Sequence, residues 1–147
     1  MSRILKNEMK LEFLSKSNNE AFARIAVASF AAQMDPTLEE LGDIRTAVSE
    51  AVTNAIVHGY RGTMGNIEIT VRLLENREIY IKIKDRGCGI ADVKQAMEPL
   101  FTTAPEEERS GLGFSVMDSF MDKLTVRSTV GKGTTVIMRK RLGKNGD

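Results

Sequence analysis

The chain has 147 residues, enough for one compact domain, and 41% of them are hydrophobic, enough to build a single core. A formal charge of +1 argues against a sequence-independent nucleic-acid binder, and one cysteine, Cys88, excludes an internal disulfide and fits a reducing, cytoplasmic compartment. No N-terminal stretch has the charged-then-apolar pattern of a signal peptide, and the longest apolar run, 21–32, contains Arg24 and is too short to span a bilayer.

Met9, Leu11 and Phe13 alternate with polar residues and predict a first strand. A helix follows Asn18-Asn19 and runs to about Met34, with Phe22, Ile25, Ala26, Ser29 and Phe30 at helical spacing as its apolar positions. Asp35-Pro36 ends it, because proline disfavours helical geometry in the residue before it. Thr37 and Glu40 form a capping-box pattern for a second helix, whose apolar stripe extends through Leu38, Ile44, Val48, Ala51 and Ala55 to His58, with Gly59 as its stop. Alternation over Ile67–Leu73 and Ile79–Ile83 predicts a hairpin joined by Glu75-Asn76-Arg77. A short helix is expected at Ala91–Met97, a loop from Glu98 to Gly113 and a helix over Leu112–Phe120. Two strands, Leu124–Ser128 and Thr134–Arg141, close the chain, and the basic run Arg139-Lys140-Arg141 reads as the solvated end of the last one. The expected fold is α+β: a two-layer sandwich with a mixed, mostly antiparallel sheet and its helices on one face, in a single domain spanning 1–147.

Four short motifs carry chemistry. In Glu50-Ala51-Val52-Thr53-Asn54, positions four apart share a helical face with about 6 Å of rise between them, so Glu50, Asn54 and His58 form a polar ridge. An amide oxygen beside a carboxylate suits magnesium, which keeps several waters and draws its other ligands from phosphates. A solvent-facing polar edge is the competing reading. Asp85-Arg86-Gly87-Cys88-Gly89 follows a strand; it is either a ligand-approaching turn, with Asp85 able to accept from an exocyclic amine, or an ordinary strand ending. Arg109-Ser110-Gly111-Leu112-Gly113 opens a helix, where free N–H groups and a partial charge of about +0.5 favour anions. With Thr102 and Thr103 upstream it suggests a phosphate lid over 98–113. Gly133-Thr134 is a hairpin turn whose hydroxyl could bond a base or a water. A G-x-x-x-x-G-K-[ST] loop is missing, as is the His-Arg-Asp set of eukaryotic-type protein kinases.

In this order the four motifs resemble the boxes of the GHKL superfamily, which includes gyrases, heat-shock chaperones, histidine kinases and mismatch-repair ATPases. The run Ser49–Tyr60, with Pro99-Leu100-Phe101-Thr102-Thr103 and Glu108-Arg109-Ser110-Gly111, is similar more narrowly to the anti-sigma F factors of endospore-forming bacteria. The resemblance implies ATP or ADP binding. Asp85 and Thr134 would hold adenine, and Gly87 and Gly89 would shape its pocket. Asn54 would ligate magnesium, while Thr102, Thr103, Ser110, Gly111, Leu112 and Gly113 would close over the phosphates. Glu50 is expected as catalytic base, with Arg109 balancing charge. It further implies a homodimer that binds a sporulation sigma factor and phosphorylates a serine on an anti-anti-sigma antagonist, with no direct role for nucleic acid or membrane.

Three rivals remain. A histidine kinase needs a phosphoacceptor histidine on a helical bundle, whereas His58 lies inside the nucleotide motif and reads as a helix-end residue. A gyrase- or chaperone-type ATPase is expected to carry a following transducer. A binding module would use ATP only to shape a docking surface. Arg24 is a candidate docking residue, with a solvated arginine as the alternative, and the free edge of the first strand is a candidate dimer contact.

Overall fold

The computed structural model describes residues 4–97 and 113–143. Strand β1 (Leu5–Leu14) leads into helix α1 (Asn19–Ala31), which tightens into a 3-10 turn at Ala32–Met34 before Pro36. Helix α2 (Leu38–Asn54) opens with the expected capping box. The Glu40 N–H donates to Thr37 Oγ1 at 3.0 Å and the Thr37 N–H donates to Glu40 Oε1 at 2.8 Å, so two donors at the helix start are satisfied reciprocally. Strands β2 (Asn66–Leu74) and β3 (Glu78–Asp85) form the hairpin. A single turn α3 (Val93–Ala96), helix α4 (Phe114–Phe120) and strands β4 (Lys123–Thr129) and β5 (Gly133–Arg141) complete the described elements.

The five strands lie in the order β1-β2-β3-β5-β4, and every neighbouring pair is antiparallel. The sheet is therefore antiparallel throughout the described residues rather than mixed. The helical pair α1–α2 runs out and back between β1 and β2, so the chain re-enters the sheet reversed, and β5 inserts between β3 and β4. Along β3, Ile79, Ile81 and Ile83 are buried against the helices, and α2 answers with Ile44, Val48, Ala51 and Val52. The opposite sheet face is polar. Arg72 and Arg139 flank the Tyr80 ring at 5.1 and 4.8 Å from its centroid, and they pair with Glu8 and Glu78 respectively. Helices on one face, as expected, follow from that asymmetry.

Two local expectations fail, and a third, the helix end at His58-Gly59, holds with a change of winding. Helix α1 buries Ala23, Val27, Ala28 and Ala31, leaving Phe22 and Ile25 more than half exposed. Small side chains let α1 close on α2, so the alanine face wins over the face with larger apolar residues. The run Arg139-Lys140-Arg141 is not uniformly solvated. Strand alternation turns Lys140 inward, where its Nζ donates to the Phe120 carbonyl at 2.8 Å and lies 3.4 Å from Asp43. Helix α2 stops being regular at Asn54, and Ala55–Gly59 continues as a wider turn in which the Tyr60 N–H donates to the Ala55 carbonyl at 3.0 Å.

Candidate nucleotide site

A cavity of about 240 Å³ opens between the C-terminal part of α2 and the ends of β3 and β5. Ala51, Ile83 and Val136 supply apolar wall, while Asn54, His58, Asp85 and Thr134 supply polar groups. Asn54 and Asp85, remote in sequence and carried by different layers, thus face one space.

Asp85 ends β3 and is 6% exposed. Burial pushes its carboxyl above the usual range; hydrogen bonds from the Gly87 and Thr134 backbones oppose that shift. The Gly87 N–H donates to Asp85 Oδ1 at 2.8 Å. Gly87 has no room for a side chain, because a Cβ there would strike the Gly59 carbonyl. Thr134 opposes Asp85 in the β3–β5 register. Its Oγ1 lies 2.8 Å from Ser128 Oγ, which in turn accepts from the Ile90 N–H at 2.7 Å. The strand ends and the glycine loop therefore form one hydrogen-bonded floor under the cavity.

Glu50 lies one helical turn before Asn54 but lines a neighbouring cavity of about 350 Å³, with Arg24, Arg45, Thr46 and Ser49. Its carboxyl is pushed up by burial and further by the charge of Glu20. Oε1 abuts Gly113, which has φ of 60° and leaves no space for a Cβ against that oxygen. Arg24 is paired with Glu20, its Nη1 3.0 Å from both carboxylate oxygens, and its side chain is 40% exposed.

Of the residues expected from sequence, Asn54, Asp85, Gly89 and Thr134 meet at the main cavity, and Gly87 sits against Asp85. Glu50 and Gly113 meet each other on adjoining surface. Thr102, Thr103, Arg109, Ser110, Gly111 and Leu112, with nearly all of the expected lid, lie outside the described residues. His58, read as a helix-end residue, lines the cavity from the wide turn. Tyr60, Ser128 and Arg61 join the site through the fold, outside the four motifs. Only the position of Tyr60, an aromatic directly after the helix-stopping Gly59, offered a sequence signal. The Asn54 amide puts a neutral oxygen donor on the cavity wall, which fits magnesium, a cation that needs few protein ligands when phosphates supply the rest.

Residues 14–140 match the family described as the histidine kinase-like ATPase domain. The anti-sigma F factor of Caldanaerobacter subterraneus subsp. tengcongensis is 60% identical over 139 residues, covering 95% of this chain and 96% of the relative. That of Clostridium acetobutylicum is 55% identical over 138 residues, covering 94% and 96%. The chain belongs to the anti-sigma F factor family. A solved structure of the RsbU and RsbW domains of a Mycobacterium tuberculosis protein superposes with a TM-score of 0.68 at 20% identity, over 93% of this chain and 32% of that one. That likeness shows the fold alone, and this chain spans about a third of that longer one. The ATPase family implies nucleotide binding, and the polar floor and apolar walls of the α2–β3–β5 cavity suit a ligand of that kind. Among the described residues no helix is long and apolar enough to cross a membrane.

Proposed function

We propose that the chain is a cytoplasmic, ATP-dependent serine-protein kinase and anti-sigma factor. It binds a sporulation sigma factor as a homodimer and phosphorylates a serine of an anti-anti-sigma antagonist. The observation that carries this reading is the convergence of Asn54, Asp85 and Thr134 on one cavity, with Glu50 one turn away on α2. The names of the relatives support the sigma-factor half. The single-domain reading over 1–147, with a phosphate-binding lid at 98–113, belongs to the same proposal.

Asp85 accepts a hydrogen bond from the adenine amine, and Thr134 assists. The absence of a side chain at Gly87 and Gly89 keeps backbone close to the flat ring. Asn54 would hold magnesium, which when bound would supply charge neutralisation at the phosphates. Arg109, Thr102, Thr103 and the Ser110–Gly113 segment bind the phosphates. Glu50 orients the acceptor serine and takes its proton as the new Oγ–P bond forms and the γ-phosphoryl leaves ADP. Phosphoryl transfer rests chiefly on such positioning and charge stabilisation. Its raised proton affinity suits Glu50 to the task.

The test is to incubate the protein with labelled ATP and the candidate antagonist, then map the label. An acid-stable phosphoserine on the antagonist is expected. An acid-labile phosphohistidine product overturns the serine assignment. Nucleotide-dependent partner binding with no transfer reduces the chain to a binding module.

A further inference from the structure

The base-recognition group and the metal-side group sit on different layers, Asp85 at the end of β3 and Asn54 at the end of α2. Something must hold them in register. The chain between them in space is the wide turn Ala55–Gly59 and the residue after it, Tyr60, which is 8% exposed. The Tyr60 hydroxyl donates to the Asn66 carbonyl at 2.6 Å and accepts from the Arg86 N–H at 2.8 Å. It thereby links the first residue of β2 to the peptide immediately following Asp85. The ring lies where Gly65 has no side chain, since a Cβ at Gly65 would strike it. Two further bonds stitch the same turn to the same loop: the Cys88 N–H donates to the Gly59 carbonyl at 2.8 Å and Cys88 Sγ to the His58 carbonyl at 3.1 Å.

We infer that Tyr60 is a positioning residue for base selection: its hydroxyl fixes the Arg86 peptide, and through it the aim of the Asp85 carboxylate across the cavity. The inference rests on the reading of Asp85 as the adenine acceptor. A hydrogen-bond acceptor discriminates well only when its direction is set beforehand, because a carboxylate free to swing can satisfy itself with water or with another base. The Gly87 N–H holds one oxygen of Asp85, but Gly87 lies on the same loop and would move with it. Tyr60 reaches that loop from the helical layer, so it can set the loop against Asn54.

The test compares ATP with inosine triphosphate, which lacks the exocyclic amine, by calorimetric titration of the wild-type protein and Tyr60→Phe. The wild type should prefer ATP. Tyr60→Phe keeps the ring, and should reduce that preference about 10-fold, equivalent to ~1.4 kcal/mol, while still unfolding cooperatively. A purely structural tyrosine would lower the melting temperature and leave the preference intact, which overturns the inference alone. A wild type indifferent to the amine overturns the Asp85 reading and the inference with it. Amide exchange in the nucleotide-free wild type is the second readout. The Arg86 N–H should be protected, and exchange as fast as an open loop amide would show that the tether is not closed, whatever the variant does.

Discussion

Helix α2 carries a glutamate near each end of its regular span, and the fold drives their carboxyls in opposite directions. Burial would raise Glu40, but hydrogen bonds from Gly143, at 2.8 Å to Oε2, and from Thr37 overcome it and hold the carboxyl below its usual range. Glu50 is raised by burial, with no such donor among the described residues, and the charge of Glu20 adds to the effect. The helix dipole acts in the same sense, favouring a negative charge in the first turn and opposing one toward the last. One end of α2 has its charge satisfied and serves the fold. The other keeps a carboxyl that holds its proton more readily, which is what acceptance of a proton from a hydroxyl requires.

Glu50→Gln separates the two roles most sharply. Serine phosphorylation should fall by about 10²- to 10⁴-fold, the usual worth of a general base, with nucleotide affinity retained. Stability should move the other way. A carboxyl raised in the folded state contributes stability that is complete below its unfolded value and is lost as pH rises through the folded one. Ionised Glu50 therefore weakens the fold at neutral pH, and the glutamine variant should melt at the same temperature or higher. Single-turnover transfer and thermal melts on one preparation check both. Unchanged transfer removes Glu50 from catalysis, and a large drop in melting temperature would make it a structural group like Glu40.

Asp85→Asn applies the same logic at the cavity floor. Losing a charged acceptor should weaken ATP binding by about 10- to 100-fold. Asp85 too is raised by burial, so its contribution to stability also fades as pH climbs through its folded value. The nucleotide-free variant should accordingly lose the part of the pH dependence that the wild type shows in that window. Equilibrium titration and melts across pH check it; full affinity would place adenine recognition elsewhere.

The two ends of α2 also differ in how far the sequence could foretell them. The capping box involves residues three apart and was legible as written. So were the strands, from their alternation; the meeting of Asn54, Asp85 and Thr134 was legible only through the family resemblance, because each motif alone also reads as an ordinary polar edge or turn. Tyr60 and Ser128 were not, because each acts on a partner brought in by strand register or helix-end geometry, 26 residues away for the Tyr60–Arg86 bond. A basic triplet looks solvated until strand alternation turns its middle member, Lys140, toward the Phe120 carbonyl. In helix α1, Phe22 and Ile25 outrank alanine on any hydrophobicity scale, whereas close helix packing selects for small size. Ala23→Leu should consequently cost about 1–3 kcal/mol through overpacking, and Ile25→Ser much less in the isolated monomer. Chemical denaturation of the two variants distinguishes the faces; equal losses would mean that α1 packs in another rotation.

The smallest expected effect lies at the quiet end of α2. Thr37→Ala removes the hydroxyl that accepts from the Glu40 N–H and should cost about 1 kcal/mol. It should also blunt the acid response, since the Thr37 side chain helps hold the Glu40 carboxyl low. For a lowered carboxylate the sign is reversed relative to Glu50: stability is present above the unfolded value and lost as pH falls through the folded one. The wild type should thus lose stability on acidification partly through Glu40, and Thr37→Ala should lose less over the same interval despite starting lower. Phosphotransfer by the folded variant should be unaffected, because the capping box lies more than two helical turns before Glu50. Melts between neutral and acidic pH give the first comparison and transfer assays the second. A variant that folds normally but transfers phosphate poorly would join the two ends of the helix into one functional unit, and the division of labour between Glu40 and Glu50 would fail.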